Sequence, residues 1–496
     1  MKEQKVRRSP TGIPGFDYIV CGGLIPNRLY LVDGNPGAGK TTFALQYLLN
    51  GVAAGERCLY VTLSETRAEL ASGAESHGWS LDGIEVLEVI ADDLGGEDEL
   101  TMLNPAEVEL TETTRKVLHA VERLKPARMV LDSLSELRLL AQSSLRYRRQ
   151  ILALKQFFIG RECTVLMLDD RTAEGPDLQL HSIAHGVIAL NFNAPPYGQV
   201  RRELQVLKFR GSEFSSGFHD FTIRRGGISV FARLIAADHS TPFRRALIAS
   251  GVKSLDALLG GGIERGTTTL LMGPPGCGKS TIALQYAVAA AQRGDHSVAF
   301  MFDETKEALI TRSMGLGLPL VEGSGPGEVA LRQIDPAEMS PGEFAHTVRE
   351  AVERHKASVV VIDSLNGYLN AVPQSSYLIA QLHELLSYLN NHGVATFLVV
   401  AQSGMMGSNM QSPVDASYLA DSVVLLRYFE HLGKIKKAIS VLKKRTGAHE
   451  ESIRELTFDS HGIHLSEPLL RLRGVLSGVP VELRSAAKRA PNTSES

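Results

Sequence analysis

Eight residues near the start of this chain, Gly34-Asn35-Pro36-Gly37-Ala38-Gly39-Lys40-Thr41, have a counterpart 239 positions later in Gly273-Pro274-Pro275-Gly276-Cys277-Gly278-Lys279-Ser280. Both fit G-x-x-x-x-G-K-[ST], the P-loop pattern. Its glycines let backbone N–H groups turn inward on phosphates, its Lys reaches the β- and γ-phosphates, and its hydroxyl holds Mg²⁺. Such a loop works only between a strand and a helix, and both copies have that context. Leu29-Tyr30-Leu31-Val32 and Thr269-Leu270-Leu271-Met272 lead in as short apolar strands. Thr42-Phe43-Ala44-Leu45-Gln46-Tyr47 and Thr281-Ile282-Ala283-Leu284-Gln285-Tyr286 lead out with helical spacing. The helix N-terminus adds its partial positive charge to the anion site. Thr42 and Thr281 join the two loops as candidate ATP contacts.

The repeat extends well beyond the loops. Thr11-Gly12-Ile13-Pro14-Gly15-Phe16-Asp17 answers Ser250-Gly251-Val252-Lys253-Ser254-Leu255-Asp256 at the same offset, so a whole domain is duplicated. A chain of 496 residues also exceeds what one hydrophobic core usually serves. The strand Cys58–Leu63 runs into Ser64-Glu65-Thr66, and its counterpart Val298–Phe302 into Asp303-Glu304-Thr305. Less regular stretches follow (67–126 and 306–357), and the acidic run Asp92–Glu99 within the first reads as a solvated loop. Met129-Val130-Leu131-Asp132-Ser133 and Val359-Val360-Val361-Ile362-Asp363-Ser364 are buried-looking strands ending in Asp. Such an Asp arrives at the carboxyl edge of a parallel sheet, where open α/β folds bind ligands, and completes a Mg²⁺ site with Thr41 or Ser280. Further core strands at Thr164–Leu168 and Ala395–Val400 complete the alternation. The expected fold is α/β: two tandem P-loop domains, each a mainly parallel β-sheet flanked by helices. Domains are placed at 1–235 and 236–484, with a linker near 234–248 and a disordered tail over 485–496.

Hydrolysis requires a carboxylate to orient water for in-line attack on the γ-phosphate. Glu65 in the first half, and Asp303 or Glu304 in the second, are the candidates; an exposed acid capping the next helix is the alternative. Lys208 with Arg210, and Lys443 with Arg445, alternate along strands and so share a face in each half. They fit either a phosphate-directed role toward a neighbouring subunit or an ordinary solvated strand face.

Composition weighs against several classes. The net charge of −3 gives no global basic field for nucleic acid, no DNA-binding module is recognisable, and aromatics suited to base stacking are sparse. No apolar run approaches the ~18 residues of a membrane span. Cys21, Cys58, Cys163 and Cys277 are scattered without zinc or disulfide spacing, which fits a reducing cytoplasm.

Taken together, the tandem P-loops, Ser64-Glu65-Thr66 and Asp303-Glu304-Thr305, the paired Leu131-Asp132-Ser133 and Ile362-Asp363-Ser364, and the Val-Leu-Lys-x-Arg segments at 206–210 and 441–445 resemble the KaiC and KaiC-like members of the RecA superfamily. The resemblance runs from about Thr11 to about Pro480. It implies a two-tiered homo-hexamer with ATP between subunits, a first ring that is mainly an ATPase, and a second that also transfers phosphate to its own side chains. It further implies a KaiB-like or signalling protein as partner. In the clock proteins both strand ends carry two adjacent glutamates, the first taken as the base; here Ser64 and Asp303 stand first, leaving Glu65 and Glu304. The clock proteins' adjacent phosphorylated Ser and Thr match Ser417 and Tyr418, so Ser417, or nearby Ser412, is the phosphosite candidate. The segment Leu470–Pro480 resembles the family's C-terminal loop, and the tail after it is short. A scaffold assembled by ATP with little turnover, and a DNA-acting RecA relative, are the competing functions.

Overall fold

In a computed structural model the residues described are 7–89, 105–171, 178–325, 327–370, 378–402 and 417–483. Contacts divide the chain into two compact units, Met1–Arg233 and Leu234–Ser496. The first carries β1 (Leu29–Gly34), β2 (Cys58–Thr62), β3 (Ile84–Glu88), β4 (Arg128–Asp132), β5 (Thr164–Asp170), β6 (Gly186–Asn193), β7 (Arg201–Phe209), β8 (Phe218–Arg224) and β9 (Gly227–Phe231). They form one nine-stranded sheet in the order β3-β2-β4-β5-β1-β6-β7-β8-β9. Strands β3 to β6 pair in parallel and β6 to β9 antiparallel.

The second unit opens with a small ribbon, β10 (Leu247–Ile248) and β11 (Ile263–Glu264). Its sheet is built from β12 (Thr268–Gly273), β13 (His296–Met301), β14 (Val329–Gln333), β15 (Ala357–Asp363), β16 (Ala395–Ala401), β17 (Ser422–His431), β18 (Lys434–Lys444), β19 (Arg454–Asp459) and β20 (Gly462–Pro468). The order β14-β13-β15-β16-β12-β17-β18-β19-β20 repeats the first sheet strand for strand. The two mainly parallel sheets flanked by helices are the tandem RecA-like architecture expected from the sequence.

Burial explains why the central strands read as apolar runs. Every residue of β1, β2 and β4 is buried, because helices cover both faces. Each sheet accordingly has an apolar core on either side. The segment after the unit boundary packs on the second unit: Ala236 is buried, and its N–H donates to Glu384.

Two stretches are more regular than their composition predicts. Within 67–126 lie the helix Arg67–Ser76, strand β3 and the helix Pro105–Leu124. Within 306–357 lie the helices Lys306–Gly315 and Pro341–Glu353 and strand β14. Side chains set the starts of three of these helices, Thr305 accepting from the N–H of Ala308 in one of them. Thr66 and Glu69 form a capping box, and Ser340 accepts from the N–H of Glu343 with Pro341 leading the helix. The acidic run 92–99, Ser412 and the tail 485–496 lie outside the described residues. Among the described residues no helix is long and apolar enough to cross a membrane.

Candidate functional site

Strand register sets the order of groups along the carboxyl edge of each sheet. In the first unit Thr62 pairs with Asp132, and Gly34, the first P-loop residue, pairs with Asp170. In the second, Met301 pairs with Asp363, and Gly273 pairs with Ala401. The residues after β2, the end of β4, the end of β5 and the P-loop after β1 therefore lie in a row. Helices Lys40–Ala53 and Lys279–Gln292 begin directly after Gly39 and Gly278. Those glycines take φ of 103° and 106°, and a Cβ there would run into Ile223 and Phe458 respectively.

The loop lysines are buried, 8% exposed for Lys40 and 6% for Lys279. Lys40 Nζ donates to the carbonyls of Gly34 (2.9 Å) and Asn35 (3.1 Å) and lies 2.5 Å from Asp170 Oδ1. Lys279 Nζ donates to the Pro274 carbonyl (2.8 Å) and approaches Cys277 Sγ (3.8 Å). Burial pushes the Lys279 ammonium below its ordinary pKa. Among the described residues no carboxylate pairs with the Lys279 ammonium at this helix N-terminus, so a polyphosphate would supply its anion, whereas Lys40 already faces Asp170.

Beside each lysine a hydroxyl meets a strand-end carboxylate. Thr41 Oγ1 donates to Asp132 Oδ2 at 3.3 Å, and in the second unit the Ser280 hydroxyl acts on the Asp363 carboxyl to hold down a pKa that burial raises. Burial raises the pKa of both carboxyls. Paired hard oxygens on a P-loop hydroxyl and a buried Asp fit Mg²⁺, which takes one or two such ligands beside phosphate oxygens and water. Tyr60, fully buried on β2, donates to the same Asp132 Oδ2 at 2.5 Å. Ala299 stands at the corresponding position of the second unit, so this brace belongs to the first site alone. The peptide bonds Asp132–Ser133 and Asp363–Ser364 are both cis.

The candidate bases separate on inspection of their partners. Glu65 is half-buried, and its pKa is raised by burial first and then by Asp132 and Glu69. Asp303 accepts from Ser364 Oγ at 2.5 Å, which places it beside the strand end that carries Asp363. Glu304 is instead gripped by Arg312, Nε to Oε1 at 3.1 Å and Nη2 to Oε2 at 2.8 Å, while Nη1 donates to Thr281 Oγ1 at 3.0 Å. Gly73 occupies the matching place in the first unit and leaves Glu65 without that clamp.

The strand-borne cations are drawn together in each unit, by a route that simple alternation does not describe. Strand β7 ends at Phe209, and a bulge leaves Leu207 unpaired between Val206 and Lys208. Lys208 Nζ donates to the carbonyls of His181 (2.5 Å) and Ser182 (3.2 Å), and Arg210 also reaches Ser182 (3.3 Å). Leu442 is the matching bulge in the second unit. There Lys443 Nζ donates to the carbonyls of Ser417 (2.9 Å) and Ala420 (2.8 Å), and Arg445 to that of Tyr418 (3.3 Å). The phosphosite candidate Ser417 is thus brought against Lys443 through its backbone.

Sequence reasoning missed Tyr60, Asp170 and Arg312. Nothing in the sequence near Tyr60 or Arg312 signals a contact to the site. Asp170 was within reach of the rule applied to Asp132, since Val165-Leu166-Met167-Leu168-Asp169-Asp170 is likewise an apolar run ending in Asp.

Comparison with known proteins agrees with this geometry. A family model for the KaiC ATPase matches twice, over residues 9–235 and 248–469. The chain is 26% identical to the circadian clock protein KaiC3 of Synechocystis sp. over 483 residues, covering 96% of this chain and 95% of the relative. It is 25% identical to the circadian clock oscillator protein KaiC of Acaryochloris marina (98% and 93% covered) and 26% identical to that of Thermosynechococcus vestitus (97% and 93%). With two complete P-loop units of one topology and a family match across both, this chain belongs to the KaiC family of ATPases.

Proposed function

We propose that the chain binds Mg²⁺-ATP in both units and hydrolyses it as a homo-hexameric double ring, with residues 1–235 and 236–484 as its ATPase domains. One observation carries this reading: in each unit a buried P-loop lysine lies beside a hydroxyl–carboxylate pair at the carboxyl edge of the sheet. Thr41 with Asp132, and Ser280 with Asp363, would hold Mg²⁺, which neutralises charge on the β- and γ-phosphates. Lys40 and Lys279 orient the γ-phosphate, and the backbone N–H groups of Gly34–Thr42 and Gly273–Thr281 hold the polyphosphate. In the second unit Asp303 accepts the proton of the attacking hydroxyl, and Glu304 with Arg312 fixes Thr281 and the adjoining helix. Lys208 with Arg210, and Lys443 with Arg445, serve a neighbouring subunit's nucleotide by exchanging their carbonyl partners for phosphate. Ser417 is the acceptor for autophosphorylation, and a KaiB-like or signalling protein reads out the nucleotide state.

The test incubates the protein with ATP and Mg²⁺ and measures ADP, assembly mass and phosphopeptides together. ADP release, an ATP-dependent hexamer and a phosphopeptide absent from Ser417→Ala and Asp303→Asn are expected. A monomer at saturating ATP would overturn the ring. Assembly without ADP release would leave an ATP-gated scaffold.

A further inference from the structure

The two sites differ by a paired exchange. Where the second unit has Asp303 after its second core strand, the first has Ser64. Where the second unit has Ala401 beside the P-loop strand, the first has Asp170. Each site therefore has a carboxylate at one of these two places, and each carboxylate is held by a serine hydroxyl. Ser364 Oγ donates to Asp303 Oδ2 at 2.5 Å, and Ser135 Oγ donates to Asp170 Oδ2 at 3.2 Å.

Three other acids at this edge of the first unit, Glu65 apart, have other partners. Asp33 bonds Arg171 (2.9 Å) and lies 3.5 Å from His181, and Asp169 bonds Arg138 (2.7 Å). Asp132 takes the hydroxyls of Tyr60 and Thr41. Asp170 is the acid that reaches Lys40, the side chain that addresses the β- and γ-phosphates. It is also partly open to solvent, at 29% exposure. A triphosphate bound through Lys40 would bring its γ-phosphate beside the Asp170 carboxylate.

We infer that Asp170 is the water-activating carboxylate of the first site, doing there what Asp303 does in the second. The inference rests on the reading that the first site hydrolyses ATP. In the step it serves, a water oxygen forms a bond to the γ-phosphorus while the bond from that phosphorus to the β,γ-bridging oxygen breaks. ADP leaves with the electron pair, and the proton lost by the water passes to the Asp170 carboxylate. Before ATP binds, the same carboxylate is the counter-charge of Lys40, so it competes with the phosphate as well as acting on the water.

The experiment uses the full chain carrying Lys279→Ala, so that turnover reports the first site. Steady-state ADP release and the Kd of a fluorescent ATP analogue are measured for this parent and for added Asp170→Asn, Asp170→Glu or Glu65→Gln. Asp170→Asn is expected to lower turnover about 100-fold or more, the range of a lost general base. Its Kd should be unchanged or lower, since the group competing for Lys40 has lost its charge. Retained binding also shows that the variant is folded. Asp170→Glu should recover part of the turnover, and Glu65→Gln should lower it less than Asp170→Asn does. Turnover persisting in Asp170→Asn, or lost in Glu65→Gln alone, would overturn the assignment, as would loss of binding in Asp170→Asn. A parent without turnover would overturn first-site hydrolysis itself, and is read before Asp170 is touched.

Discussion

Replacing Tyr60 by Phe removes a single oxygen from a fully buried ring and should separate the two sites by their demand for Mg²⁺. The Tyr60 hydroxyl donates to Asp132 Oδ2 at 2.5 Å, and Thr41 donates to the same oxygen at 3.3 Å. Burial already raises the Asp132 pKa, and the Tyr60 hydrogen bond works against that rise. A hydrogen bond to a charged group contributes about 1.5–3 kcal/mol. Groups that orient a metal ligand from behind typically affect affinity by about 10–100-fold. In Tyr60→Phe the carboxylate is both less stabilised as an anion and less fixed in direction. The Mg²⁺ concentration at half-maximal nucleotide binding should therefore rise by about 10–100-fold in the first site. The assay titrates Mg²⁺ against a fluorescent ATP analogue in Lys279→Ala, with and without Tyr60→Phe. The same titration in Lys40→Ala should not move, because Ala299 stands where Tyr60 would be. An unchanged midpoint in the first titration would refute the claim that Tyr60 braces a cation ligand.

Lys40→Ala should abolish nucleotide binding to the first unit and Lys279→Ala to the second, read as one site lost per chain by calorimetry; two sites surviving in the double variant would reject both assignments. Arg128, 2% exposed, donates to Glu56 (2.5 Å) and to the carbonyls of Pro10 (2.9 Å) and Tyr47 (2.8 Å). Arg128→Met strands these acceptors and should destabilise the first unit by about 3 kcal/mol in denaturant titrations. His185 accepts the Leu29 N–H at its Nδ1 (3.2 Å), and burial, helped by Lys155, Arg28 and Arg210, lowers its pKa to about 4. The unfolded chain binds that proton from about pH 6.5 downward. The stability of neutral His185 is thus complete above that pH and drains away as pH falls toward 4. Discounted for partial exposure this amounts to about 1 kcal/mol, and His185→Asn should flatten the slope in that window.

The P-loops, the paired aspartates and the doubled topology were legible because each depends on neighbours in sequence. A loop takes its shape from its own glycines, and a buried parallel strand announces itself as an apolar run. What escaped depends on contacts across the sheet. Tyr60 meets Asp132 over 72 residues and Lys40 meets Asp170 over 130. Only strand order makes them neighbours, and β5 comes to lie between β4 and β1 although it follows both in sequence. The different partners of Asp303 and Glu304 were likewise beyond the sequence, since Arg312, which grips Glu304, lies two helical turns downstream. Alternation brought Lys208 and Arg210 to one place, but the bulge at Leu207 and the strand end at Phe209 rerouted them.

The sheet that holds the first P-loop also carries Lys208. Strand β1 pairs with β6, and β6 with β7, so two strand spacings of about 4.8 Å separate the cradle's strand from that of the cation. In mechanical terms the two are parts of one hydrogen-bonded plate. A shift of the cradle as nucleotide arrives or leaves can reach Lys208 through backbone ladders, with no loop to absorb it. The bulge at Leu207 interrupts that ladder one residue before Lys208.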